Sequence, residues 1–291
     1  MRFPRRAGRP DPGHPRVSSL DVLLPACGRP AALAVALAGL ASQTVRDWRL
    51  VLSDQSPGEP ASQDPAVVGV LRVLAHHGTR VEVHRHLPVR GVAEHRDALL
   101  ARATADRVLY LDDDVLLEPD SLARLQEAMD ATGAGFVGMA MQGLSHVGDV
   151  RPHEQVAYEE WVGPVTPERV RKDTPGWERW RLHNAANLVH LDARLGPHPR
   201  GWRAYKVAWA AGCVLFDRAA LVESGGFAFW CDLPPQSAGE DVVAQLRVMD
   251  TRGGAGLLPS GAWHLELPTT VPDRRVDAYA VVLEGGRTLD A

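Results

Sequence analysis

The sequence predicts an α/β protein with a mostly parallel sheet flanked by helices, and three observations carry that expectation. Short apolar runs alternate with helical stretches from Leu20 onward. Five β units joined by helical connections are the pattern of a parallel sheet. Polar residues follow the runs directly, where such sheets bind ligands beyond the carboxyl ends of their strands.

LDVLLP (20–25) reads as the first strand, followed by a helix over about 31–42. WRLVLS (48–53) reads as the second, with a helix near 65–76, and RVEVHR (80–85) as the third, with a helical 92–104. RVLYL (107–111) precedes a helix at 119–131 that Pro119 can start, and GFVGMAM (135–141) is the fifth run. Residues 142–207 break the rhythm and read as an insertion or an acceptor-facing region. They are rich in Pro and Gly and hold Trp161, Trp177, Trp180 and Trp202, four of the eight tryptophans. Beyond them VAWAAGCVLFDR (207–218) reads as a strand, DRAALVESGG as a short helix, and GEDVVAQLRVMDTRG (239–253) as a helix ending at glycine. The expected organisation is a basic tail over 1–17, a single domain over 18–270 and a C-terminal extension over 271–291.

Composition excludes several classes. With 45% apolar and 23% charged residues in 291, the chain has ordinary globular usage, not that of a disordered, collagenous or coiled-coil protein. A formal charge of −4 gives no attraction to nucleic acid, which is not expected as a partner. The first sixteen residues hold Arg2, Arg5, Arg6, Arg9 and Arg16 with four prolines, the composition of a disordered tail. Cys27, Cys213 and Cys231 form neither a disulfide framework nor a CxxC zinc site, which points to a reducing, cytoplasmic setting. The apolar stretch at 31–41 is too short to span a bilayer, and Asp21, Pro25, Arg29 and Pro30 interrupt its approach. Neither export nor an integral membrane segment is expected, while peripheral attachment through the basic tail stays open.

Four constellations could carry chemistry. Asp112, Asp113 and Asp114 lie between a strand and a helix, where alternate carboxylates can hold Mg²⁺ or Mn²⁺ and through it a diphosphate. The competing reading is a solvated acidic turn. Glu240 and Asp241 open a helix after Gly225-Gly226-Phe227 and Trp230, and a carboxylate there can deprotonate an acceptor hydroxyl. Acids at a helix start also stabilise its dipole. His264 can complete a metal site begun by Asp114. Arg96 can offer its fork to a phosphate or to the aspartates.

In this order the residues resemble the inverting family 2 glycosyltransferases of the GT-A fold, over about 20–265. Residues 17–56, VSSLDVLLPACGRP through VLSDQS, are similar to that family's opening strand, helix and second strand, which implies that Pro25 lines the nucleotide site and Asp54 contacts the base. GVAEHRDALLARATADRVLYLDDDVLLEPDSL resembles the segment that ends in the DXD motif. That places Arg96, Asp112 and Asp113 at the nucleotide, Asp112 near the ribose, and Asp114 on the metal. AAGCVLFDRAALVESGGFAFW followed by AGEDVVAQLRVM resembles the acceptor-side strand, GGF turn and ED motif, which implies Asp241 as catalytic base, with Glu240 and Trp230 near the acceptor. His264 resembles the late histidine of the metal shell.

The resemblance implies inverting transfer of a sugar from a nucleotide-sugar donor, a UDP-sugar favoured, to a hydroxyl acceptor of open identity, with Mn²⁺ or Mg²⁺ as cofactor. Ser53-Asp54-Gln55-Ser56 departs from the usual double aspartate, and the Trp-rich region has no counterpart. The alternatives are a sugar-nucleotide nucleotidyltransferase, which would need a basic phosphate loop better than Ala26–Pro30, a noncatalytic nucleotide-sugar or glycan-binding protein, and a retaining GT-A enzyme.

Overall fold

The computed structural model describes residues 20–271 and 273–285. The basic tail expected over 1–17 lies outside the described residues. The strands, in chain order, are β1 (Leu20–Ala26), β2 (Arg49–Asp54), β3 (Arg80–Arg85), β4 (Arg107–Leu111), β5 (Val115–Leu117), β6 (Phe136–Gly138), β7 (Gln142–Gly143), β8 (Arg203–Tyr205), β9 (Cys213–Asp217), β10 (Ser237–Ala238), β11 (Gly254–Leu258), β12 (Ala262–His264) and β13 (Val276–Asp277). The helices are α1 (Pro30–Ala41), α2 (Pro65–His76), α3 (Val92–Leu100), α4 (Ser121–Thr132), α5 (Pro152–Gln155), α6 (Asn187–Leu195), α7 (Arg218–Glu223), α8 (Glu240–Arg252) and α9 (Ala278–Leu283).

The main sheet has the order β3-β2-β1-β4-β9-β6-β11-β8. The first four strands are parallel, β9 runs antiparallel to both β4 and β6, and β8 runs antiparallel to β11. The α/β expectation therefore holds, with a reversed strand in the middle of the sheet. Both faces are covered. Val22, Leu24, Leu109 and Leu111 point into one apolar cluster with α1, while Leu23, Val108 and Tyr110 point into the other with α3 and α8, as the two-residue period of a strand requires. Burial on both faces is why these strands read as continuous apolar runs. Val170, Leu182, Leu188 and Leu191 of the 142–207 region belong to the second cluster.

Local sequence explains the element ends. Pro30 occupies the first turn of α1, and Gly39 lets that helix lie against β5, since a Cβ there would sit 2.9 Å from the Leu117 nitrogen. α3 stops at Leu100 instead of 104, and the Thr104 and Ala105 amides turn to donate to the Asp21 carboxylate at 2.7 and 3.0 Å. Asp21 is fully buried and also forks with Arg49. Pro119 precedes α4 rather than starting it.

The strands expected over 207–218 and 135–141 are shorter, at 213–217 and 136–138. At Ala210 a side chain takes the backbone groups that a ladder partner would use: Gln245 of α8 donates to Ala210 O at 2.7 Å and accepts from Ala210 N at 2.8 Å. Gly212, at φ +78°, then turns the chain into β9.

Two small sheets finish the site. In the order β5-β12-β7, His264 is registered against Val115, and Leu265 N donates to Asp114 O at 2.9 Å. β13 pairs in parallel with β10, immediately before Glu240. No helix among the described residues is long and apolar enough to cross a membrane.

Candidate active site

A cavity of about 830 Å³ opens at the carboxyl ends of β1, β2 and β4. Pro25, Arg96, Asp112, Asp113, Asp114, Glu240, Asp241 and His264 all line it, so chain segments far apart in sequence converge on one wall. Leu267, Thr269, Thr270 and Val271, with Asp273 and Arg274, line it as well.

The strand-end acids are held by positive charge. Arg29, at the N-cap of α1, sets one arm of its guanidinium on Asp113 Oδ1 and the other on Asp114 Oδ2, at 2.6 Å for the latter. His264 Nε2 lies 3.3 Å from the same Asp114 oxygen. Burial raises the Asp114 pKa, but the hydrogen bond from His264 and the charge of Arg29 outweigh it and hold the carboxyl below its ordinary value. The Asp114 hydrogen bond conversely raises His264. Asp113 is more enclosed: burial lifts it to about 6 despite Arg29 and the amide of Cys27, 3.1 Å away.

Arg96 joins the two acid groups. It is buried, donating from Nη2 to Asp112 Oδ1 and from Nε to Glu240 Oε1, both at 2.9 Å. Glu240 and Asp241 are both raised, chiefly by burial. Asp241 differs from its neighbour in having no ion pair among the described residues: its carboxylate accepts the amide of Val242, at 2.9 Å, and feels the charge of Arg96 without pairing with it.

Other expected residues sit elsewhere. Asp54 is fully buried and off the cavity wall, its carboxylate accepting the amides of Ser56 and Ser62, each at 2.8 Å, while Gln55 lines the cavity in its place. Trp230 is off the wall too, its indole donating to Asp97 at 3.2 Å. Trp161, Trp177, Trp180 and Trp202 are also absent from the wall: Trp202 is buried, Trp161 donates to Gly254 O, and Trp177 packs on Trp209 and Tyr279. Sequence reasoning missed Arg29 and His95 as site residues. His95, on the wall, is lowered to about 3 by burial and bonds through Nε2 to Ser53 Oγ at 2.8 Å, so it is neutral. The one signal for Arg29 was its place directly after the first strand and before Pro30.

Among the described residues no three His, Cys, Asp or Glu side chains form a self-sufficient metal cluster. The donor set still fits a hard divalent ion that takes its remaining ligands from substrate. Asp114 and His264 supply an oxygen and a nitrogen at the edge of an open cavity, and Mg²⁺-like ions are commonly held by one or two carboxylates plus phosphate oxygens.

A family model described as Glycosyl transferase family 2 matches residues 21–189, more than half of the chain, and the chain belongs to that family. The match covers Asp54, Arg96 and Asp112–Asp114 but ends before Glu240, Asp241 and His264. Among solved structures, S. aureus TarS 1-349 in complex with UDP-GlcNAc is similar with a TM-score of 0.54 and 12% identity, covering 87% of this chain and 60% of that one. S. aureus TarS gives 0.51 and 13%, covering 84% and 36%. At such identities the likeness shows the fold, a GT-A type architecture. The RNA silencing suppressor p19 of Havel river virus is 34% identical over 82 residues, 27% of this chain and 42% of that protein. The chain thus spans less than two thirds of the length of each of these relatives.

Proposed function

We propose that the protein transfers a sugar from a nucleotide-sugar donor to a hydroxyl acceptor with inversion, in a single catalytic domain over about 18–270. The observation that carries the reading is Asp241, a carboxylate on the cavity wall with a raised pKa and no ion pair among the described residues. It is free to accept the acceptor's proton as the hydroxyl attacks the anomeric carbon on the face opposite the leaving group. Glu240 stays paired with Arg96 and positions its neighbour.

Asp114 and His264 would hold Mn²⁺ or Mg²⁺, which when bound neutralises the departing diphosphate. Asp112, tied to Arg96, lies at the nucleotide's ribose, and Pro25 and Asp113 support the same side of the cavity. A UDP-sugar is the favoured donor, in keeping with the UDP-GlcNAc held by the similar TarS structure.

The test is a thermal-shift panel of UDP, GDP, dTDP and their sugars, with and without Mn²⁺, on the wild type and Asp114→Asn. Ligand bound only by the native state raises the midpoint. A Mn²⁺-dependent rise for one nucleotide, absent in the variant, is expected. No rise with any of them overturns the donor site.

A further inference from the structure

We propose that Arg29 is the resident counter-ion of the Asp113 and Asp114 pair, and that it must release Asp114 Oδ2 before a divalent cation and a diphosphate can share that oxygen. Bare cation then binds poorly, and cation with diphosphate binds well. The inference rests on the reading of Asp114 and His264 as cation ligands, and adds a residue that controls when they act.

The geometry is a competition for one atom. Arg29 Nη1 is 2.6 Å from Asp114 Oδ2, and His264 Nε2 is 3.3 Å from that same oxygen. Charge-assisted forks of this kind are among the stronger hydrogen bonds, and a guanidinium keeps its charge at any working pH. A cation arriving at Oδ2 therefore meets both a lost hydrogen bond and a like charge.

Arg29 is also built to move. A fifth of its side chain is exposed and it lines the cavity, so its charged end has room on the substrate side. Its Nε is enclosed with no partner, so the arginine is incompletely satisfied where it stands. Its root, by contrast, is fixed by Pro30 in the first turn of α1. Asp113 keeps the Cys27 amide when Arg29 leaves. A diphosphate in the cavity offers the fork a pair of phosphate oxygens to replace Asp114.

Two ligands that each favour the released position raise one another's affinity by the same factor. Arg29 thereby couples donor and cation binding and discourages cation loading of an empty site.

Mn²⁺ titrations followed by electron paramagnetic resonance test this, on wild type, Arg29→Gln and Arg29→Lys, without nucleotide and then with UDP, GDP and dTDP in turn. Wild type is expected to bind Mn²⁺ far better with its diphosphate than alone. Arg29→Gln should bind Mn²⁺ alone roughly tenfold more tightly and lose about that factor of coupling. Arg29→Lys, whose single ammonium cannot span both carboxylates, should fall between them, and it decides the matter if Arg29→Gln does not give a native circular dichroism spectrum. Unchanged or weaker Mn²⁺ binding by the substituted protein alone, with wild-type coupling intact, overturns the role of Arg29 and leaves the cation site standing. No Mn²⁺ binding by wild type with any of the three diphosphates overturns the cation site itself, and the inference with it.

Discussion

The two acid groups on the cavity wall use the same side chains for opposite ends. At the end of β4, Asp114 is held between Arg29 and His264 and kept below its ordinary pKa, while the more enclosed Asp113 is lifted to about 6 despite Arg29. At the start of α8, Glu240 pairs with Arg96, which it shares with Asp112, and Asp241 has a backbone amide but no ion pair among the described residues. Burial raises all four, and what differs is the number and placement of compensating donors. Asp114, held by Arg29 and His264, is lowered and serves as a fixed charge, whereas Asp241, with no ion pair among the described residues, is raised above its ordinary value, in the direction a general base needs.

Removing the exchangeable proton site should give the largest effect. Asp241→Asn is expected to lower kcat by about 10²- to 10⁴-fold while nucleotide affinity stays unchanged, as read by steady-state kinetics beside calorimetric titration. Full turnover by this variant would dissolve the contrast.

Arg96 belongs to both groups, so Arg96→Met strips a buried cation from Asp112 and Glu240 together. The expected loss of stability is about 3–5 kcal/mol in urea unfolding. A loss below about 1 kcal/mol, the range of an exposed pair, would mean the two groups are independent.

Asp114→Asn should weaken nucleotide binding in Mn²⁺ by about 10- to 100-fold without weakening metal-free binding. Equal weakening in both conditions would make Asp114 a packing residue instead.

The smallest effect is in the pH profile. Because the Asp241 pKa is raised, the base is protonated at the acid end, and transfer should rise with pH through a value above the ordinary carboxylate range of about 4. An acid limb in kcat at or below that range would sink the assignment.

The first half of the fold was legible because β1, β2 and β4 are buried on both faces and a helix follows each of the first three strands. β1 to β4 appear within a residue or two of their expected places. The second half was less so. Within 207–212 Gln245 pairs with Ala210, a contact between residues 35 apart that no local pattern announces.

The same divide runs through the site. The three aspartates after β4 stand out as charge where packing has no use for it, and His264 is brought beside them by the ladder of β5 and β12. Arg29 carried little signal because it is one arginine among 30, and its meaning lies in two carboxylates more than 80 residues away. The exclusion of Trp230 and of the Trp-rich region from the wall was equally hidden, since aromatic residues suit a core as well as a sugar face.

The reversed strand β9 has a mechanical consequence. Hydrogen-bonded to β4 on one side and β6 on the other, it stitches the half that carries Asp112–Asp114 to the half that carries α8 into one uninterrupted ladder. Hinge closure needs a line along which few bonds cross, and this sheet has none between the two acid groups. Their spacing is therefore a property of the rigid framework. The segment over 265–271, tied to that framework where the Leu265 amide donates to the Asp114 carbonyl, lines the same cavity without belonging to the main sheet.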